Sequence, residues 1–249
     1  MIPIKFKVLE DSWAVAAEAA RVIAAEARAA WAERGRFVMA VSGGRTPWQM
    51  LRALSNEEVP WQGVHVFQVD ERVAPAGDPD RNLTHLRESL LSHAPLPPDH
   101  IHAMPVEESG LETAAAGYAR TLESIAGSPA LLDLVHLGLG PDGHTASLVP
   151  DDPVLDVTNT DVALTGPYQK RRRMTLTYPV LNHARSVLWL VTGAEKTAML
   201  ARLLDGDLSI PAGRVNRANA LLLADREAAS TLKPKARPGP GGPGGISTR

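Results

Sequence analysis

Short apolar runs alternate with longer amphipathic stretches along most of this chain. Runs at 2–9, 37–41, 64–69, 101–104, 131–139, 162–165, 173–178, 187–191 and 220–223 have the length of strands. Several are apolar at nearly every position, as strands covered on both faces require. Between them, the spacing predicts helices over 12–33, 48–54, 82–91, 111–125 and 195–204. The first is Ala-rich, lacks internal Gly and Pro, and stops before Gly35. A short helix is expected to start over 145–149, and another over 225–232 to close the domain. Strands alternating with helices predict an α/β fold with a mainly parallel sheet covered on both faces. The stretch 150–178 breaks that alternation and predicts a small antiparallel addition.

The folded part is expected to be a single domain over 1–232. Residues 233–249 are rich in Pro and Gly with almost nothing to bury, and are expected to form a disordered tail. The 249 residues, 44% hydrophobic and 22% charged, suit one α/β domain with a substantial core. A net charge of −2 leaves no basic footprint for nucleic acid. There is no cysteine, which removes disulfides and thiolate chemistry and fits a reducing cytoplasm. No apolar stretch approaches the ~18 residues of a membrane span, and the N-terminus lacks a signal-peptide core. The expectation is a cytoplasmic protein that binds neither membrane nor nucleic acid. The histidines at 65, 85, 93, 100, 102, 136 and 183 show no metal-ligand spacing, so no metal is assigned.

Three strand ends carry candidate chemistry. Ser42-Gly43-Gly44-Arg45-Thr46-Pro47 links a strand to a helix. Its glycines permit a sharp turn and close approach of a ligand, and free N–H groups at a helix start favour an anion such as phosphate. Thr46 is a candidate cap; a plain strand-to-helix turn is the competing reading. Asp70-Glu71-Arg72 ends a strand, where two carboxylates can do acid/base work or aim the Arg at a phosphate. A solvated charge cluster is the alternative. Gly140-Pro141-Asp142-Gly143-His144-Thr145-Ala146-Ser147 follows a buried strand and places Asp142 and His144 at the carboxyl edge of the sheet, where open α/β folds bind ligands. His is the side chain best suited to proton transfer near neutral pH. A Ser–His–Asp triad with Ser147 or Ser42 competes, although neither serine sits in a Gly-x-Ser-x-Gly elbow.

In order, these pieces resemble the 6-phosphogluconolactonase family: the glycine turn, Asp70-Glu71-Arg72 followed by Asn82, the Gly138 to Leu148 motif, Arg173-Met174-Thr175-Leu176-Thr177, and Gly193 with Lys196. The resemblance spans roughly residues 10 to 225. The chain departs from the family with Arg81 before Asn82, with Val149 before Pro150, and with Arg171 and Arg172 where prolines are usual. The resemblance implies a three-layer α/β/α, Rossmann-like fold shared with sugar-phosphate isomerases, and hydrolysis of 6-phospho-D-glucono-1,5-lactone without cofactor or metal. It implies His144 and Asp142 as catalytic residues, and Ser42, Gly43, Gly44, Arg45, Thr46, Asp70, Glu71, Arg72, Asn82, Gly143, Arg173 and Lys196 around the substrate. Either Asp142 or Glu71 can be the partner of His144. The sugar-phosphate lactone is the expected partner of a monomer or weak homo-oligomer. Glucosamine-6-phosphate deaminase shares a similar glycine turn and Asp-Gly-His; Arg72 and Thr145-Ala146-Ser147 favour the lactonase. A non-catalytic sugar-phosphate sensor is the third reading.

Overall fold

A computed structural model describes residues 3–232. The expected tail at 233–249 lies outside the described residues. Among the described residues ten strands form two sheets. The larger is built from β1 (Lys5–Leu9), β2 (Phe37–Val41), β3 (Val64–Gln68), β5 (Ile101–His102), β6 (Leu134–Gly138), β9 (Val187–Val191) and β10 (Ala220–Asp225). It is parallel throughout, in the order β1-β10-β9-β6-β2-β3-β5. The smaller sheet is antiparallel, β4 (Asp70–Arg72), β8 (Arg173–Leu176) and β7 (Val162–Leu164) in that spatial order.

The period of two along the buried strands divides the core into two layers. Phe37, Met39 and Val41 of β2 face one core; Val38 and Ala40 face the other. In β9, Leu188 and Leu190 join the first, whereas Val187, Trp189 and Val191 join the second. Helices α1 (Ser12–Arg34) and α2 (Arg45–Leu54), with α3 (Asn82–Leu86), cover the first face. Helices α4 (Leu111–Ala126), α5 (Tyr178–His183) and α6 (Thr197–Asp205), with the small sheet, cover the second. This is the α/β/α architecture. Among the described residues no helix is long and apolar enough to cross a membrane.

Helix α1 begins where Asp11 accepts the Ala14 amide at 2.8 Å and ends at Gly35 in the left-handed region. Four local expectations are corrected. Asp70-Glu71-Arg72 does not end β3: the chain leaves the large sheet at Val69 and forms the separate strand β4 against β8. Residues 145–149 are not helical, because Thr145 bridges back to Leu148 across a tight turn with Ala146 at φ 52°. Tyr178 opens a helix with Pro179 in its first turn rather than extending a strand. The segment after β10 makes turns rather than a helix, with the Asp225 carboxylate accepting the Ala228 amide at 2.8 Å.

Candidate active site

Five parallel strands, β10, β9, β6, β2 and β3, end around one cavity of about 550 Å³. It lies between β2 and β6. The chain passes from β2 to β3 on one side, while β6 and β9 lie on the other. Such a reversal opens a crevice at the carboxyl ends of the strands.

The turn after β2 is held by β6. Ser42 donates its amide to Nδ1 of His136 at 3.2 Å and its hydroxyl to the His136 carbonyl at 3.1 Å. Burial pushes the His136 pKa down to about 3, so the ring stays neutral and Nδ1 can accept. Gly43 packs against Asn82 so closely that a Cβ would overlap that side chain. No side chain caps α2: Gly44 is its N-cap, so the N–H groups of its first turn remain available to an anion. Thr46 is therefore not the cap; its hydroxyl lies 2.7 Å from that of Thr192, beyond β9. Arg45 is exposed and lines the cavity.

Strand β4 separates its three charges. Asp70 lines the cavity and accepts the Ser147 hydroxyl at 2.6 Å, while Asn82 donates to its carbonyl at 2.9 Å. Glu71 does not reach the cavity. It is wholly buried, accepts the amides of Arg72, Asn82 and Leu83 and the Gln68 amide group, and pairs with Arg81 Nε at 3.1 Å. Its role is to fix the chain from 70 to 83. Arg72 lines the cavity and donates to Asn82 Oδ1 at 2.8 Å. Directly opposite it in the antiparallel register stands Arg173. Like charges facing one another across strands repel. Burial and the neighbouring Arg72 lower the pKa of Arg173, with Asp70 and Asp80 opposing. Two crowded guanidiniums at a cavity wall form a natural anion site.

The catalytic candidates come from the turn after β6. His144 Nδ1 lies 2.6 Å from Asp142 Oδ1, which also accepts the His144 amide at 3.1 Å. The Asp142 carboxyl is held well below the ordinary carboxylate range, chiefly by the hydrogen bond from His144. Asp142 is therefore ionised and accepts a hydrogen bond from Nδ1–H, the tautomer that leaves Nε2 as the ring nitrogen free to take a proton. His144 lines the cavity; Asp142 stands behind it. Gly140 is obligatory here, because a Cβ would collide with the His144 ring. Gly143 also lies behind the wall, packed on Ile210 with its carbonyl accepting the Ala212 amide at 3.0 Å. Lys196 lines the far wall, and its ammonium has no ion-pair partner among the described residues. Burial lowers its pKa, offset by Glu195 and Asp142. Neither candidate serine reaches His144: Ser42 is tied to His136 and Ser147 to Asp70. That removes the Ser–His–Asp alternative.

The cavity thus gathers Ser42, Gly43, Gly44, Arg45, Thr46, Asp70, Arg72, Asn82, His144, Arg173 and Lys196, and leaves Glu71, Asp142 and Gly143 outside its surface. The sequence reading passed over Tyr168, whose hydroxyl donates to Asp142 Oδ2 at 3.0 Å. It also passed over Asp225, whose carboxylate accepts the Gly193 amide at 3.0 Å. A lone Tyr in a turn and an Asp closing a strand carry no local signal of a site.

Residues 10–223 match the family described as glucosamine-6-phosphate isomerases/6-phosphogluconolactonase. The chain belongs to this family. Among its members, the 6-phosphogluconolactonase of Mycobacterium tuberculosis is 37% identical over 240 residues, covering 91% of this chain and 97% of that one. The Nostoc 6-phosphogluconolactonase is 35% identical, with the same coverage of both chains. The solved 6-phosphogluconolactonase of Trypanosoma brucei superposes with a TM-score of 0.82 at 27% identity, covering 94% of this chain and all of that chain. A monomeric glucosamine-6-phosphate deaminase shares the fold, with a TM-score of 0.78 at 20% identity.

Proposed function

We propose that this chain hydrolyses 6-phospho-D-glucono-1,5-lactone to 6-phospho-D-gluconate, the second step of the oxidative pentose phosphate pathway, with His144 as general base. The observation that carries this reading is an imidazole anchored by a carboxylate at 2.6 Å in the same cavity as the cations Arg72, Arg173 and Lys196. The relatives named 6-phosphogluconolactonase support the substrate. A δ-lactone is an activated ester, so water with a base suffices. Nε2 of His144 takes a proton as the water oxygen bonds to C1. The ester bond from C1 to the ring oxygen then breaks, and the imidazolium returns its proton to that oxygen. Such acid/base help contributes roughly a hundred- to ten-thousand-fold. Asp142 steadies the imidazolium without leaving its own bond to Nδ1. Backbone N–H groups of the Gly43-Gly44 turn are the donors for the oxyanion, since the Gly140, Gly143 and Gly193 amides are engaged within the protein. Arg72, Arg173, Lys196, Arg45 and the start of α2 hold the dianionic phosphate, and that grip fixes C1 near His144.

The test is a coupled assay. The lactone is made in situ from glucose 6-phosphate by its dehydrogenase, and NADPH from 6-phosphogluconate dehydrogenase is followed against the spontaneous rate. Acceleration above the spontaneous rate, with kcat strongly lowered and KM nearly unchanged in His144→Ala, is the expected result. Full turnover by His144→Ala removes the general base from this role. Ammonia release from glucosamine 6-phosphate, with no lactone hydrolysis, replaces the reading with a deaminase.

A further inference from the structure

Asp142 is anchored through both of its oxygens. Oδ1 accepts from the His144 ring and amide; Oδ2 accepts from the Tyr168 hydroxyl at 3.0 Å. The Tyr168 ring meets His144 edge to face, with centroids 5.5 Å apart at 66°. The Arg173 guanidinium stands 4.9 Å from the centre of the same Tyr168 ring. One side chain therefore touches the acid partner of the base, the base itself and a cation of the anion-binding wall.

Tyr168 lies at the tip of the hairpin between β7 and β8. Tyr168 and Arg171 exchange backbone hydrogen bonds of 2.9 and 3.2 Å around Gln169 and Lys170. Both central residues have positive φ, 50° and 68°. That two-residue turn usually carries Asn-Gly, and bulky L-residues adopt it only under outside constraint. The constraints are visible. Arg171 bridges Asp78 and Asp80 at 3.0 Å each, and Arg173 donates to Gln169 Oε1 at 3.1 Å. The hairpin tip is thus pinned from both sides with Tyr168 pointing at Asp142. Burial and the bond to Asp142 raise the Tyr168 pKa, so the phenol keeps the proton it donates.

We propose that Tyr168 is a positioning residue for the His144 base: its hydroxyl locks the Asp142 carboxylate that orients His144, and its ring seats Arg173, so one side chain registers the proton-transfer and anion-binding ends of the cavity. The inference rests on the lactonase reading above.

Steady-state kinetics of the full chain separate the two contacts. Tyr168→Phe keeps the ring and removes the hydroxyl. Its kcat is expected to fall roughly tenfold, the scale of one hydrogen bond to a charged group, with KM within about twofold of wild type. Tyr168→Ala also loses the seat of Arg173, and its KM is expected to rise several-fold. In an Asp142→Asn background, Tyr168→Phe should have little further effect on kcat, because the two changes break one linkage. An unchanged kcat in Tyr168→Phe, in an enzyme that His144→Ala still inactivates, overturns the proposal and leaves the lactonase reading intact. So does a Tyr168→Phe loss that persists undiminished on Asp142→Asn. A wild-type chain without lactonase activity overturns both.

Discussion

Single atoms decide whether the proposed general base can form. His144 needs its Nδ1 against Asp142, and that geometry needs the empty space over Gly140. Adding one methyl there drives the imidazole off its carboxylate while leaving every cation in place. Gly140→Ala is therefore expected to lose kcat by at least tenfold with a modest change in KM, read by the coupled assay beside a melting curve. A normal kcat would mean that the turn relaxes without moving the ring. His144 and Asp142 were legible from the sequence because Gly-rich turns after buried strands place side chains at the sheet edge. Glu71 shows where that reading stops. Its neighbours in sequence suggested a ligand carboxylate, yet its partners are backbone amides up to twelve residues away and the buried Arg81. The loop that supplies those amides cannot be inferred from three letters.

At the scale of elements, the consequential pair is β4 with β8. Each strand is short, and neither is stable alone. Their register sets Arg72 opposite Arg173, so the small sheet exists partly as a frame for two cations. Arg72→Ala is expected to raise KM about ten- to hundredfold, the loss of a charge-assisted contact, with kcat nearly kept. An unchanged KM would place the phosphate away from this wall. The strands over 37–41 and 187–191 were readable to the residue because each is apolar at every position. Strand β4 was not, because DER has no apolar period; only the partner strand, about a hundred residues later, makes it a strand. The expected helix over 145–149 failed for a related reason: Thr145 finds its partner in Leu148 rather than in a ladder along the helix axis.

Across the whole molecule, stability carries a pH signature from two histidines, the buried His136 and the half-buried His102. His136 and His102 titrate at about 3 and about 4 in the fold, both lowered mainly by burial. Unfolded, each accepts a proton near pH 6.5. Below that pH the unfolded chain binds protons that the folded chain refuses, so stability present above about 6.5 declines as the solution is acidified. His136, fully buried, contributes at most about 1.4 kcal/mol per pH unit between about 6.5 and 3. Urea midpoints measured from pH 7.5 to 5 should fall, and His136→Gln should flatten that fall; an unaltered slope would assign the loss to other groups. The α/β class and the parallel sheet were visible in the alternation of strands and helices. The strand order was not, because pairing between distant runs leaves no trace in local periodicity.

That order has a consequence in time. Among the described residues strand β1 pairs only with β10, so residues 5–9 find their sheet neighbour more than two hundred positions later. The same late strand carries Asp225, which holds the Gly193 amide beside Lys196. The first of the described strands must therefore wait for the last of them during synthesis, and long-range pairings of this kind form slowly. Docking of β10 on β9 is what brings Asp225 to the Gly193 amide, so the cavity wall beside Lys196 is completed only once this late strand has joined the sheet.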